Sequence, residues 1–169
     1  MKKTVLVFGV LSGLVSTALM FATLPFLEKI GYDKGLIVGY TGIVLSLLFV
    51  YFGVRSYRDN KLAGKIAFGR AFGVGLLITL ISCVFYVVSW QILSRNFMPD
   101  FADQYGARVI ADARKAGASE AALAKTTAEM ADMKKMMNDP IIGSAMVFIE
   151  PFPVGLLVTL ISAAVLRKK

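Results

Sequence analysis

Residues 141–166, IIGSAMVFIEPFPVGLLVTLISAAVL, form a membrane-length apolar run interrupted near its middle by Glu150-Pro151-Phe152-Pro153. A carboxyl group at bilayer depth is costly and marks a candidate functional position. Pro151 and Pro153 remove two helical donors, leave the carbonyls of Val147 and Ile149 without their usual partners, and disfavour helical geometry at Glu150 and Phe152. With Pro140 at the membrane boundary, ten residues of helical rise carry Glu150 inward by about 15 Å, half of a roughly 30 Å hydrocarbon core. The span therefore either kinks or splits into two half-helices. If it splits, the amino-terminal dipole end of the second half favours a charged carboxylate. If it kinks, the apolar surroundings favour a neutral acid that donates a hydrogen bond.

Three further runs of similar length precede this one, at residues 4–26, 36–54 and 71–93. Hydrophobic residues make up 57% of the 169, and charged residues 18%. That balance lies outside the range of ordinary soluble domains, and the run lengths match bilayer crossings. The expected fold is an all-α membrane protein, a single integral membrane domain over residues 1–169, with four transmembrane helices. The polar segment 94–139 forms an extracytoplasmic helical hairpin between the third and fourth.

The net charge of +8 raises the question of nucleic acid, and its distribution answers it. Lys2 and Lys3, the group Arg55, Arg58, Lys61, Lys65 and Arg70, and the ending Arg167-Lys168-Lys169 fall on one side of the membrane, against the single acid Asp59. Acids and bases balance on the other side. Excess basic charge in short loops sets orientation, so both termini are expected in the cytoplasm and no nucleic-acid partner is needed. Lys2-Lys3 before an apolar run also suits a cleaved signal peptide, but the run exceeds the 7–15 residues of a signal core, and a retained span is expected. Histidine is absent and the one cysteine, Cys83, lies within the third run. No catalytic, cofactor or metal site is therefore expected, and the chain does not read as an enzyme.

Small residues four apart recur in three spans: Gly9 and Gly13, Gly35 and Gly39, Gly69 and Gly73. They allow close helix approach, either within one bundle or across a homo-oligomer seam. Residues 64–72 read as an interfacial helix running into the third span, with Phe68 and Phe72 on one face. Arg55, Arg58, Lys65 and Arg70 are the candidate contacts to lipid headgroups. In the polar segment, Pro99-Asp100 starts one helix with Phe101, Tyr105 and Val109 on a face. Gly117 stops it, and Ser119 caps a second helix whose stripe is Leu123, Thr126, Met130, Met133 and Met137. That methionine-rich face either packs within the hairpin or offers an adaptable surface to a membrane or periplasmic protein. Asp139-Pro140 caps and begins the fourth span.

Residues 53–59 (GVRSYRD) and 66–72 (IAFGRAF), together with Pro99-Asp100-Phe101 and the ending Glu150-Pro151-Phe152-Pro153-Val154-Gly155 with its basic tail, resemble a bacterial membrane family catalogued as a domain of unknown function (DUF four-one-nine-nine). The resemblance runs the length of the chain. It implies four spans in a bacterial inner membrane and carries no activity, cofactor or catalytic residue. The candidate site is Glu150 with Pro151 and Pro153. Two functions remain open: a structural, scaffolding or regulatory membrane protein working through helix and hairpin contacts, or a proton- or ion-coupled transporter subunit using Glu150.

Overall fold

The computed structural model describes residues 1–23 and 26–168, and within these the side chains of residues 27–33 are left aside. The expected end of the first span at residues 24–26 and the terminal Lys169 thus fall partly or wholly outside the described residues, as do the side chains of Glu28, Lys29 and Asp33. Seven helices follow in order among the described residues: α1 (Lys2–Thr23), α2 (Leu27–Lys61), α3 (Phe68–Asn96), α4 (Phe101–Lys115), α5 (Glu120–Asn138), α6 (Pro140–Ile149) and α7 (Pro151–Leu166). Among the described residues four stretches are long and apolar enough to cross a membrane: α1, residues 34–61 of α2, α3, and α6 with α7 taken together. The second apolar run proves to be the middle of a 35-residue helix, whose first and last turns are polar. Helical backbone bonding there continues where hydropathy stops, so the expected loop before residue 36 is helical.

The chain divides into two compact units, residues 1–89 with 148–169, and residues 90–147. The first unit buries several hydroxyls beside its apolar core and leaves many aliphatic side chains exposed. Ser12, Ser46, Thr79, Ser82, Thr159 and Ser162 are buried, while Leu6, Leu14, Ile37, Val84, Leu157 and Val165 are exposed. A lipid solvent gives no penalty for exposed aliphatic surface, and it leaves packing and interhelical hydrogen bonds to hold helices together. The core of Leu47, Val50, Val54, Val74 and Ile78 sits among these hydroxyls.

Helix register follows from the close contacts. Gly9 lies under Ile81 and Gly13 under Phe85, and Thr17 meets Ser89 at 2.7 Å with the same offset of 72 residues, so α1 and α3 run parallel. The small-residue stripe of α1 is therefore spent on α3 of the same chain. Gly39, Gly69 and Gly73, by contrast, face open space. The Ser12 hydroxyl donates to the Ser46 carbonyl at 2.7 Å and lies 2.9 Å from Ser82 Oγ, tying α1, α2 and α3 at one level.

The turn after α2 departs from the expected interfacial helix. Gly64 has φ +82°, the left-handed region that glycine enters without strain, and its amide donates to the Arg58 carbonyl at 3.1 Å. Ile66 then pairs in extended geometry with Lys168: each amide donates to the other's carbonyl, at 2.9 and 3.0 Å. A backbone pairing with the far end of the chain thus displaces a helical turn that residues 64–67 would have formed locally.

In the second unit, α4 and α5 form the helical hairpin. Gly117 (φ +78°) ends the first helix, and the Ser119 hydroxyl accepts from the Ala122 amide at 3.3 Å as the cap of α5. Leu123 is buried and Thr126, Met130, Met133 and Met137 are partly shielded, the stripe marked out in the sequence, while the residues between them are exposed with the exception of Lys134. Met130 packs on Gly106 of α4, and Lys134 pairs with Asp103 across the hairpin. Trp90 meets Phe101 edge-on, with centroids 5.2 Å apart.

Candidate functional site

Pro151 occupies the first position of α7, where its missing amide costs least. Glu150, between α6 and α7, nevertheless keeps αR geometry (φ −69°, ψ −59°). The prolines thus interrupt hydrogen bonding without unwinding the chain, and the break takes the form of two abutting helices. The Glu150 side chain makes no capping hydrogen bond to the start of α7. Pro151 is buried, Pro153 is exposed, and Phe152 stacks on Phe148 with centroids 5.1 Å apart.

Glu150 is exposed on the outer surface of its helix, next to Ile149, which is 65% exposed. Its Oε2 accepts a hydrogen bond from the Tyr86 hydroxyl of α3 at 2.9 Å. The first three spans also carry serine and threonine hydroxyls that could reach a carboxyl at this depth. Among the described residues the serines and threonines are spent elsewhere: Ser12 on Ser46 and Ser82, Thr17 on Ser89, Thr41 on the Ile37 carbonyl at 2.7 Å, and Thr79 on Thr159. Tyr86 went unremarked in the sequence, although a phenol flanked by Phe85 and Val87 in the third apolar run is itself a signal.

One turn beyond Glu150, α7 crosses α3 through a reciprocal contact. Gly155 packs against Thr79, Gly75 packs against Thr159, and the two threonine hydroxyls share a hydrogen bond at 3.0 Å. Thr79 Oγ1 also lies 3.4 Å from the Gly155 carbonyl. Each helix therefore presents a glycine and a threonine four residues apart, and the antiparallel pairing places every threonine over the other helix's glycine. This crossing fixes the level at which Tyr86 meets Glu150.

The basic candidates gather at the other end of the first unit. Arg58 binds Asp59 through Nε at 2.7 Å and reaches the Leu166 carbonyl at the end of α7, at 3.4 Å. Arg55 lies 3.6 Å from the same Asp59. Lys65 and Arg70 stand apart from this cluster and line a cleft with Lys168. A larger, open groove of about 520 Å³ runs beside Phe8, Phe49, Phe52 and Arg55.

No curated protein and no solved structure matches the chain. A family model does, along nearly its whole length. The glycine-lined crossing, the proline-broken fourth span and the basic turn all lie within that match, and the chain belongs to the family described as protein of unknown function (DUF4199), whose model covers residues 7–168.

Proposed function

We propose that this protein is a structural, scaffolding or regulatory component of a bacterial inner membrane, with both termini in the cytoplasm, working through contacts of its helices and hairpin. One observation carries the reading: Glu150 is exposed at the proline break with its carboxyl bonded to a phenol of α3, while the helix contact beside it is filled by the glycine–threonine crossing. A polar group on a lipid-exposed face gains most from a second protein surface, a partner membrane protein or another copy of this chain, because lipid offers it no hydrogen bond. The hairpin supplies a second contact surface through exposed residues such as Met136.

Cysteine crosslinking in native membranes tests this reading. Ile149→Cys is expected to form a discrete crosslinked species, and Leu157→Cys on the same helix serves as the comparison. Loss of any specific adduct at both positions would remove support for helix contacts. The competing reading is a proton- or ion-coupled transporter subunit, favoured by the Tyr86–Glu150 pair as an exchange site. In proteoliposomes, flux that disappears in Glu150→Gln would select it. Flux at the empty-vesicle level, with unchanged crosslinking, is the outcome expected here.

A further inference from the structure

The turn between α2 and α3 and the carboxyl-terminal tail border an open cleft of about 280 Å³ lined by Leu62, Lys65, Ile66, Ala67, Arg70 and Lys168. Three cations thus converge from three separate segments: the turn, the first turn of α3, and the tail. Their convergence is built by backbone, because the two-way amide pairing of Ile66 with Lys168 holds the tail against the turn. Ile66 is 2% exposed, so this pairing is anchored in the core of the first unit. The Arg58 bond to the Leu166 carbonyl adds a second tie between the same segments.

Among the described residues the cleft's cations have no acidic partner: no acidic group lies within 4.0 Å of Lys65, Arg70 or Lys168. The one acid of this end, Asp59, is engaged by Arg55 and Arg58. The amino-terminal dipole end of α3 adds positive potential beside Arg70. Leu62 and Ala67 supply an apolar wall next to these charges. A ligand that satisfies both is anionic at one end and apolar at the other.

We propose that this cleft binds the phosphate headgroup of an anionic phospholipid, with Lys65, Arg70 and Lys168 on the phosphate and the apolar wall against the glycerol and first methylenes. A basic pocket between membrane helices at the headgroup level is the known physical form of such a site. The inference is independent of the role of Glu150.

The test uses the full chain in lipid nanodiscs. Native mass spectrometry compares retention of phosphatidylglycerol with that of phosphatidylcholine for three proteins. The cleft triple is Lys65→Gln, Arg70→Gln and Lys168→Gln; the control triple is Lys2→Gln, Lys3→Gln and Lys61→Gln, which removes equal charge from the same end. A charge-retaining triple, Lys65→Arg, Arg70→Lys and Lys168→Arg, guards against a folding artefact. The cleft triple is expected to lose the phosphatidylglycerol preference by roughly a hundredfold, at about fivefold for each of the three charges, while the other two keep it. An equal loss in the control triple would reduce the effect to diffuse surface charge and overturn the site. So would displacement of phosphatidylglycerol by millimolar inorganic phosphate, which would identify a soluble anion as the occupant.

Discussion

Glu150 and Tyr86 form a pair whose strength is set by its solvent. In water a carboxyl–phenol hydrogen bond competes with hydration, whereas in hydrocarbon each group lacks an alternative partner. Measured interhelical hydrogen bonds in membranes still contribute only about 0.6–2 kcal/mol, because the unfolded chain in lipid finds partners too. Tyr86→Phe is therefore expected to destabilise the protein by an amount in that range, read by unfolding in mixed detergent. Glu150→Ala should show the same coupling in a double-mutant cycle, and strictly additive losses would mean that the two groups do not interact. The carboxyl was visible in the sequence because a single charged residue in an apolar run is conspicuous. Its partner was not, because a tyrosine in a span belongs equally to the packing and to the interface.

Helices α3 and α7 owe their close approach to two glycines. A side chain at Gly155 would overlap Thr79, and one at Gly75 would come within 2.9 Å of the Thr159 methyl. Gly155→Leu is expected to push the helices apart, break the threonine bond and cost several kcal/mol by overpacking. Gly73→Leu, with nothing within 4 Å, should leave stability nearly unchanged. Equal effects of the two substitutions would contradict the crossing. In the hairpin, Ser119→Ala removes the cap of α5 and should cost about 1 kcal/mol, seen as faster amide exchange in the first turn of that helix. Spacing in the sequence marked Gly9 with Gly13 and Gly69 with Gly73 alike. Only the first pair meets another helix, since four-residue spacing defines a helical face without defining what that face touches.

In the first unit aliphatic side chains lie outside as well as in the core, and several hydroxyls are buried among them. At most 39% of any candidate span's most apolar window is buried within the protein, so the remaining apolar surface requires a nonaqueous solvent. Purified protein is expected to stay monodisperse in detergent or nanodiscs and to aggregate when these are withdrawn; solubility without either would contradict membrane embedding. The charge distribution makes a separate prediction about orientation. A reporter fused after Lys169 should be active in the cytoplasm and one inserted at Gly117 outside it, and the reverse pattern would invert the topology.

Hydropathy and turn chemistry, which act within a few residues, are legible in the sequence alone. They located four membrane-length helices, the Gly117 stop, the Ser119 and Asp139 caps and the shielded methionine stripe. The Asp139 cap accepts from the amides of Ile141 and Ile142 at 2.9 and 2.8 Å, as its position before Pro140 implies. Contacts between distant segments carried no such local mark. The extended turn at Ile66 exists because Lys168 pairs with it, the α3–α7 crossing exists because two glycines meet two threonines, and Glu150 faces Tyr86 because that crossing sets the register. Each depends on which faces meet in space, a choice made by packing across more than sixty residues of chain, and periodicity along one helix does not encode it.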